Sequence, residues 1–240
     1  MQLEILYRDE HLIAIDKPPG LLVHRTGLDA GETRFAVQLL RDQIGQPVWP
    51  AHRLDKGTSG VLLFSLNADT ARLVGQAFEQ GPGVQKTYQA IVRGWAKPEG
   101  PIDHALKRMP DDMRFGREEM QEAQTRFATL AHGELPLPYD AFPATRFSRV
   151  ALQPLTGRRH QLRRHMKHIS HPILGDTTHG KGPLNRAVAA FIGVQRMWLH
   201  ATTLALPHPA TGRALNINAE PGPEWAFWHS HSEEAPEQGR

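Results

Sequence analysis

Ala51-His52-Arg53-Leu54-Asp55-Lys56-Gly57-Thr58-Ser59-Gly60-Val61-Leu62-Leu63 sets one carboxylate between two basic residues, then adds a Gly-Thr-Ser-Gly turn and an apolar run. The apolar run reads as a buried strand, and the small residues before it read as a tight loop delivered onto a sheet. An acid on a positively charged loop is poor sequence for a solvated turn. It suits a site that handles a polyanion, with Asp55 as nucleophile, general base or electrostatic stabiliser. Taken alone, a loop aspartate can equally cap a turn or helix by accepting backbone N–H groups. Arg53 and Lys56 are poor direct partners for Asp55, since adjacent side chains on extended chain point apart. They are well placed to contact phosphate or an unstacked base.

Outward from this loop, residues 3–7 and 12–16 read as two strands around a polar turn, and 21–24 as extended chain after Lys17-Pro18-Pro19-Gly20. A helix is expected over 33–44, closed by Gly45, and another after Asn67 or Asp69, with Ala71, Val74 and Phe78 inward. Strands are expected over 61–66, 86–93, 126–130 and 146–152, a helix over 157–169, a strand pair over 197–202 and 204–206, and a short strand over 214–218. Residues 107–124 look like a surface insertion or mobile loop, and 231–240 like a polar, disordered tail. Strands with helices between them, but no steady βα alternation, give an α+β class with a mixed sheet in one domain over 1–230.

Net charge is only +3, from 28 basic and 25 acidic residues. Its distribution says more. No acid lies between Ala141 and Gly175, a stretch that holds Arg146, Arg149, Arg158, Arg159, Arg163, Arg164 and Lys167. Removing those seven leaves 21 basic residues against 25 acidic ones, a body of net charge −4. A basic stripe on a mildly acidic body is the footprint of phosphate contact. Within it, Thr156-Gly157-Arg158-Arg159-His160-Gln161-Leu162-Arg163-Arg164-His165 places Arg159 and Arg163 four apart, beside an apolar stripe of Leu162, Met166 and Ile169. An arginine beside that stripe is partly buried and needs a carboxylate, for which Asp55 is the natural candidate. The spacing does not choose between Arg159 and Arg163. Tyr88, near a strand start, can line a cleft, stack on a base or move a proton, or simply fill a core.

The chain has no cysteine, which removes disulfides, thiolate metal sites, thiol nucleophiles and zinc-deaminase chemistry. His165 and His168 have a spacing that permits metal ligation, but four nearby arginines and no carboxylate argue against a cation there. No P-loop, dinucleotide fingerprint or hydrolase elbow is present. No apolar run approaches a membrane span, and no signal peptide is visible. The expectation is a cytoplasmic monomer with no membrane attachment, cofactor or obligate protein partner.

These segments, in order, resemble the RluA-type pseudouridine synthases. The resemblance rests on His52-Arg53-Leu54-Asp55 with Thr58-Ser59-Gly60, Lys86-Thr87-Tyr88, Thr156 to Arg163, His171-Pro172-Ile173-Leu174-Gly175-Asp176 and Leu199-His200-Ala201, and covers residues 3–218. It implies the pseudouridine synthase catalytic fold, with a mixed, mostly antiparallel sheet, flanking helices and a central RNA-binding cleft. It implies isomerisation of a uridine already in RNA, with no metal or cofactor. Asp55 is then the catalytic aspartate, attacking C1′ or taking the C2′ proton, and Arg163 its partner. Tyr88 lies against the uracil and Leu199 packs under the site. Arg53 fills the space of the flipped base. Beside what the resemblance implies, His52, Lys56, Arg158, Arg159 and Arg164 are expected RNA contacts. Residues 41–46, the doubled arginine Arg163-Arg164 and Asn185-Arg186 point to members acting on transfer RNA at uridine 65, in the acceptor/T-arm region. Ribosomal RNA, or a non-catalytic RNA-binding or chaperone role, is the alternative. The chain starts at the catalytic domain, with no room expected for an S4-type RNA-binding domain.

Overall fold

A computed structural model describes residues 1–25, 31–80, 83–109 and 119–234. In chain order the elements are β1 (Glu4–Arg8), β2 (Leu12–Lys17), α1 (Ala36–Ile44), β3 (Trp49–Pro50), β4 (Ser59–Ser65), α2 (Ala68–Gln80), β5 (Gln85–Arg93), β6 (Glu99–Asp103), β7 (Leu106–Lys107), β8 (Met120–Gln121) and β9 (Gln124–Leu135). They continue with β10 (Thr145–Pro154), α3 (Gln161–His168), α4 (Gly182–Ile192), β11 (Leu199–Pro207), β12 (Ala214–Asn218), α5 (Ala226–Ser230) and β13 (Ser232–Glu234). The class is α+β with mostly antiparallel strands. The sequence reads as one catalytic domain over 1–230; the chain divides into two compact units, Met1–Lys86 with His200–Pro221, and Thr87–Leu199 with Gly222 onward.

In the first unit β4 is the central strand, and all seven of its residues are buried. It pairs antiparallel with β2 along one edge. On the other edge its first residues run parallel to β11 and its last pair with β3. β1 extends the sheet beyond β2, and β12 extends it beyond β11. Val61, Leu63, Val74, Leu204, Leu206 and Ile217 form its core. Asn67 accepts from the Thr70 N–H and so starts α2.

In the second unit β5, β10 and β9 form an antiparallel sheet, with β6 and β13 on the far edge of β9. One core joins Val92, Val150 and Leu152 of the strands to Leu162 and Met166 of α3. A second gathers Trp198, Trp225 and Trp228, with ring centroids of the Trp198–Trp225 and Trp198–Trp228 pairs 5.5 and 5.2 Å apart at near-perpendicular planes.

Four expectations change. The helix expected over 157–169 begins at Gln161, because His160 sits at φ 52° in the left-handed region and the Gln161 side chain holds the preceding turn. The helix expected from 33 begins at Ala36, since Phe35 is extended and bridges Leu22. Residues 199–207 form one strand rather than two, with Thr203 in register opposite Asn218 where a turn would have stood. Of the expected tail, Ser232–Glu234 pairs with β9; residues 235–240 lie outside the described residues, as do 110–118 of the expected insertion, whose flanks pair as β7 and β8. Sequence reading missed α4, which begins with Pro183 in its first turn and ends at left-handed Gly193.

Candidate active site

The Asp55 loop belongs to the first unit, and the fold grips it by its backbone. The Thr58 N–H closes a turn on the Asp55 carbonyl at 3.0 Å, and the Gly20 N–H donates to the Lys56 carbonyl at 2.8 Å. Lys17, fully buried, donates from Nζ to the carbonyls of Leu21 (2.7 Å), Pro18 (2.9 Å) and Lys56 (3.3 Å). A buried ammonium requires such oxygens, and satisfying it ties the Lys17–Leu21 turn to the residue after Asp55. At the loop's far end Ser59 and Gly60 enter β4. Gly60 has φ 106°, and a Cβ there would run into the Ala201 carbonyl, so glycine is required where β11 passes.

The basic residues on this loop differ. Arg53 is exposed. Lys56 is about half exposed and forms a 2.5 Å ion pair with Glu32. His52 stacks on Phe78 (centroids 5.3 Å, planes 11° apart), and its Nε2 accepts the Leu63 N–H at 3.2 Å. Burial, and then the charge of Lys86, push its pKa down to about 3. The ring is therefore neutral at physiological pH and anchored in the packing beneath the loop. Lys86, whose pKa is also lowered by burial, lies with Nζ 4.7 Å from the Phe78 ring centre.

The second unit holds Tyr88, Leu199 and the α3 arginines. Tyr88, opposite Leu152 in the β5–β10 register, is half-buried and packs on the cluster that contains Leu199, Leu162 and Met166. Leu199 is 3% exposed. Arg163 is buried and forms a forked pair with Asp176, Nε to Oδ2 at 2.7 Å and Nη2 to Oδ1 at 2.8 Å. The sequence offers Asp55 as the carboxylate for this arginine and misses Asp176. A signal was available, since Asp176 is the first acid after the acid-free stretch. Asp176 also accepts the Thr178 and His179 N–H groups at 2.9 Å. Burial opposes the ionised form, but the Arg163 hydrogen bond and charge, with those two N–H groups, hold its pKa below the usual carboxylate range. The fork uses two of the guanidinium's five N–H donors. Gly175, just before Asp176, sits at φ 77° where a Cβ would strike the Arg196 carbonyl, so glycine is required there.

Ahead of α3, the buried Gln161 amide makes four bonds. Its Oε1 accepts from Thr156 Oγ1 (2.7 Å) and Arg158 N (2.9 Å); its Nε2 donates to Gln124 O (2.9 Å) and Thr125 Oγ1 (3.1 Å). That pins the Thr156–His160 turn. Arg158 is exposed, with Nε on the Glu122 carbonyl at 2.9 Å, and Arg159 is half-buried. Arg164 donates to the Lys107 carbonyl at 2.9 Å, which ties α3 to β7. His165 Nε2 faces the His104 carbonyl at 3.0 Å and must carry the proton, so Nδ1 accepts from Thr125 Oγ1 at 2.9 Å. His168 stacks on His104 at 3.6 Å with planes 10° apart, a face-to-face arrangement that cannot aim both lone pairs at one cation. Among the described residues no His, Asp or Glu group is arranged to hold a metal ion, and no helix is long and apolar enough to cross a membrane.

Residues 11–168 match the family model described as RNA pseudouridylate synthase. The chain is 51% identical over 229 residues to tRNA pseudouridine synthase C of Pasteurella multocida (strain Pm70), covering 94% of each chain. It is 49% identical to tRNA pseudouridine synthase C of Haemophilus ducreyi (strain 35000HP / ATCC 700724), covering 95% of this chain and 98% of that one. Among solved structures, human RNA pseudouridylate synthase domain containing 1 aligns with a TM-score of 0.74 at 27% identity, covering 98% of this chain and 89% of that chain.

Proposed function

The chain belongs to the RNA pseudouridylate synthase family and is an RNA pseudouridine synthase, and from that premise we propose that it converts one uridine of transfer RNA, uridine 65 in the acceptor/T-arm region, to pseudouridine. The observation that carries the transfer RNA reading is the 51% identity to tRNA pseudouridine synthase C across 94% of both chains. Position 65 rests on the resemblance alone.

The reaction breaks the N1–C1′ bond, turns the uracil, forms C5–C1′, releases the C5 proton and protonates N1, so the mass of the RNA is unchanged. A base in a stem must first leave its stack, at a cost of a few kcal/mol. Phosphate contacts by the α3 arginines and the loop cations offset this cost. Asp55 is the carboxylate that acts at the sugar, by analogy with glycosidic cleavage. Tyr88 is the ring residue at the uracil, Arg163 the counter-charge and Leu199 the apolar floor. Arg53 takes the place of the flipped base.

Chemical mapping of pseudouridine in total RNA, with and without the protein, tests this. Loss of one transfer RNA signal at position 65 is expected. A signal lost from ribosomal RNA, with transfer RNA unchanged, overturns the substrate.

A further inference from the structure

We infer that His200 is a positioning residue for the catalytic loop, acting on Asp55 through Ser59; this rests on the proposed role of Asp55. His200 is buried at 1% exposure, and both ring nitrogens are engaged. Nε2 lies 3.0 Å from the Ala219 carbonyl, which can only accept, so Nε2 carries the proton. In the neutral ring Nδ1 is then the acceptor, and Ser59 Oγ lies 2.8 Å from it. Ser59 stands four positions after Asp55, next to Thr58, whose N–H closes the turn on the Asp55 carbonyl. The parallel ladder sets His200 opposite Ser59 and Ala201 opposite Gly60. The imidazole thus spans from the end of β12 to the point where the catalytic loop becomes β4. Lys17 and Gly20 hold the loop at Lys56, and His200 holds its exit. A carboxylate acting at a sugar carbon requires sub-ångström placement, and a shift of about 1 Å can cost a hundredfold in rate.

The two nitrogens can be separated by substitution. An asparagine amide ends level with Nδ1, so His200→Asn keeps an acceptor for Ser59 and loses the Ala219 bond. A glutamine amide reaches the level of Nε2, so His200→Gln keeps the Ala219 bond and loses the Ser59 acceptor. Single-turnover and steady-state kinetics on the RNA identified by mapping would compare these with Ser59→Ala. Ser59→Ala and His200→Gln are expected to lower kcat by roughly ten- to a hundredfold, with KM and RNA affinity within about twofold of wild type. The double variant is expected to be no slower than either single one. His200→Asn is expected to stay within about threefold of wild-type kcat, at a lower melting temperature. Wild-type kcat in Ser59→Ala, or equal slowing by the two amides, overturns the inference. If either His200 variant does not fold, Ser59→Ala decides by itself. Failure of the functional reading is separable, because it shows as pseudouridine at another nucleotide or as an active Asp55→Asn enzyme, whatever Ser59→Ala does.

Discussion

Two aspartates in this molecule are gripped by the fold, each through atoms that can be named. At Asp55 the fold grips the main chain, through Thr58 N–H on its own carbonyl and through Lys17 and Gly20 on the carbonyl of Lys56. At Asp176 it grips the carboxylate itself, which accepts the Arg163 fork and two backbone N–H groups while 1% exposed. A carboxylate bound in that way is a support. Its function is to fix the guanidinium of Arg163. A loop clamped through its peptide groups has its position set by main-chain atoms, which suits the chemistry proposed for Asp55. The same sequence therefore contains an acid held as a support and, on the proposed function, a reacting acid on a loop that the main chain helps to fix.

The sharpest way to break that comparison is to change each carboxylate to its amide. Asp55→Asn is expected to lower the isomerisation rate by at least about a thousandfold while RNA affinity stays within a few-fold, as measured by tritium release and filter binding. An active Asp55→Asn enzyme removes the distinction. Asp176→Asn is expected to destabilise the fold by about 3–5 kcal/mol in urea unfolding, because it removes the carboxylate that accepts the Arg163 fork in a buried setting. A variant as stable as wild type would show that Asp176 is not the support described here.

A smaller effect concerns pH. His52 titrates near 3 in the folded chain and near 6.5 when unfolded, so below 6.5 the unfolded chain takes up the proton and stability falls as pH drops toward 3. Asp176 has a folded pKa below its unfolded one, so its contribution is present above about pH 4 and is lost as pH falls further. Melting temperature is expected to decline between pH 6.5 and 5 in the wild type and less steeply in His52→Gln. Equal slopes would place the acid sensitivity elsewhere. The smallest effect is on the exposed stripe. Arg158→Ala is expected to weaken RNA binding modestly and to reduce the slope of log K against log salt by about one.

Legibility followed the range of the interactions. The strands and α2 were readable because alternation, stop signals and the Asn67 cap are local. The start of α3 was misplaced by four residues, since what ends it there is a side chain, Gln161, bonded to Gln124 and Thr125 some 36 residues earlier in the chain. What the sequence does not display for His52 is its stacking on Phe78 and its acceptance of the Leu63 N–H, contacts 26 and 11 residues away along the chain.

By itself the sequence determined the chemistry on offer: one acid between Arg53 and Lys56, an acid-free run carrying seven cations, and no thiol. Those are properties of composition and spacing, and they survive any folding. Tertiary structure decided the partners. Arg163 meets an aspartate 13 residues on, and Ser59 meets a histidine 141 residues on. Such pairings depend on which strands lie side by side and where a glycine lets two backbones close, and chain folding alone brings those atoms within hydrogen-bond reach.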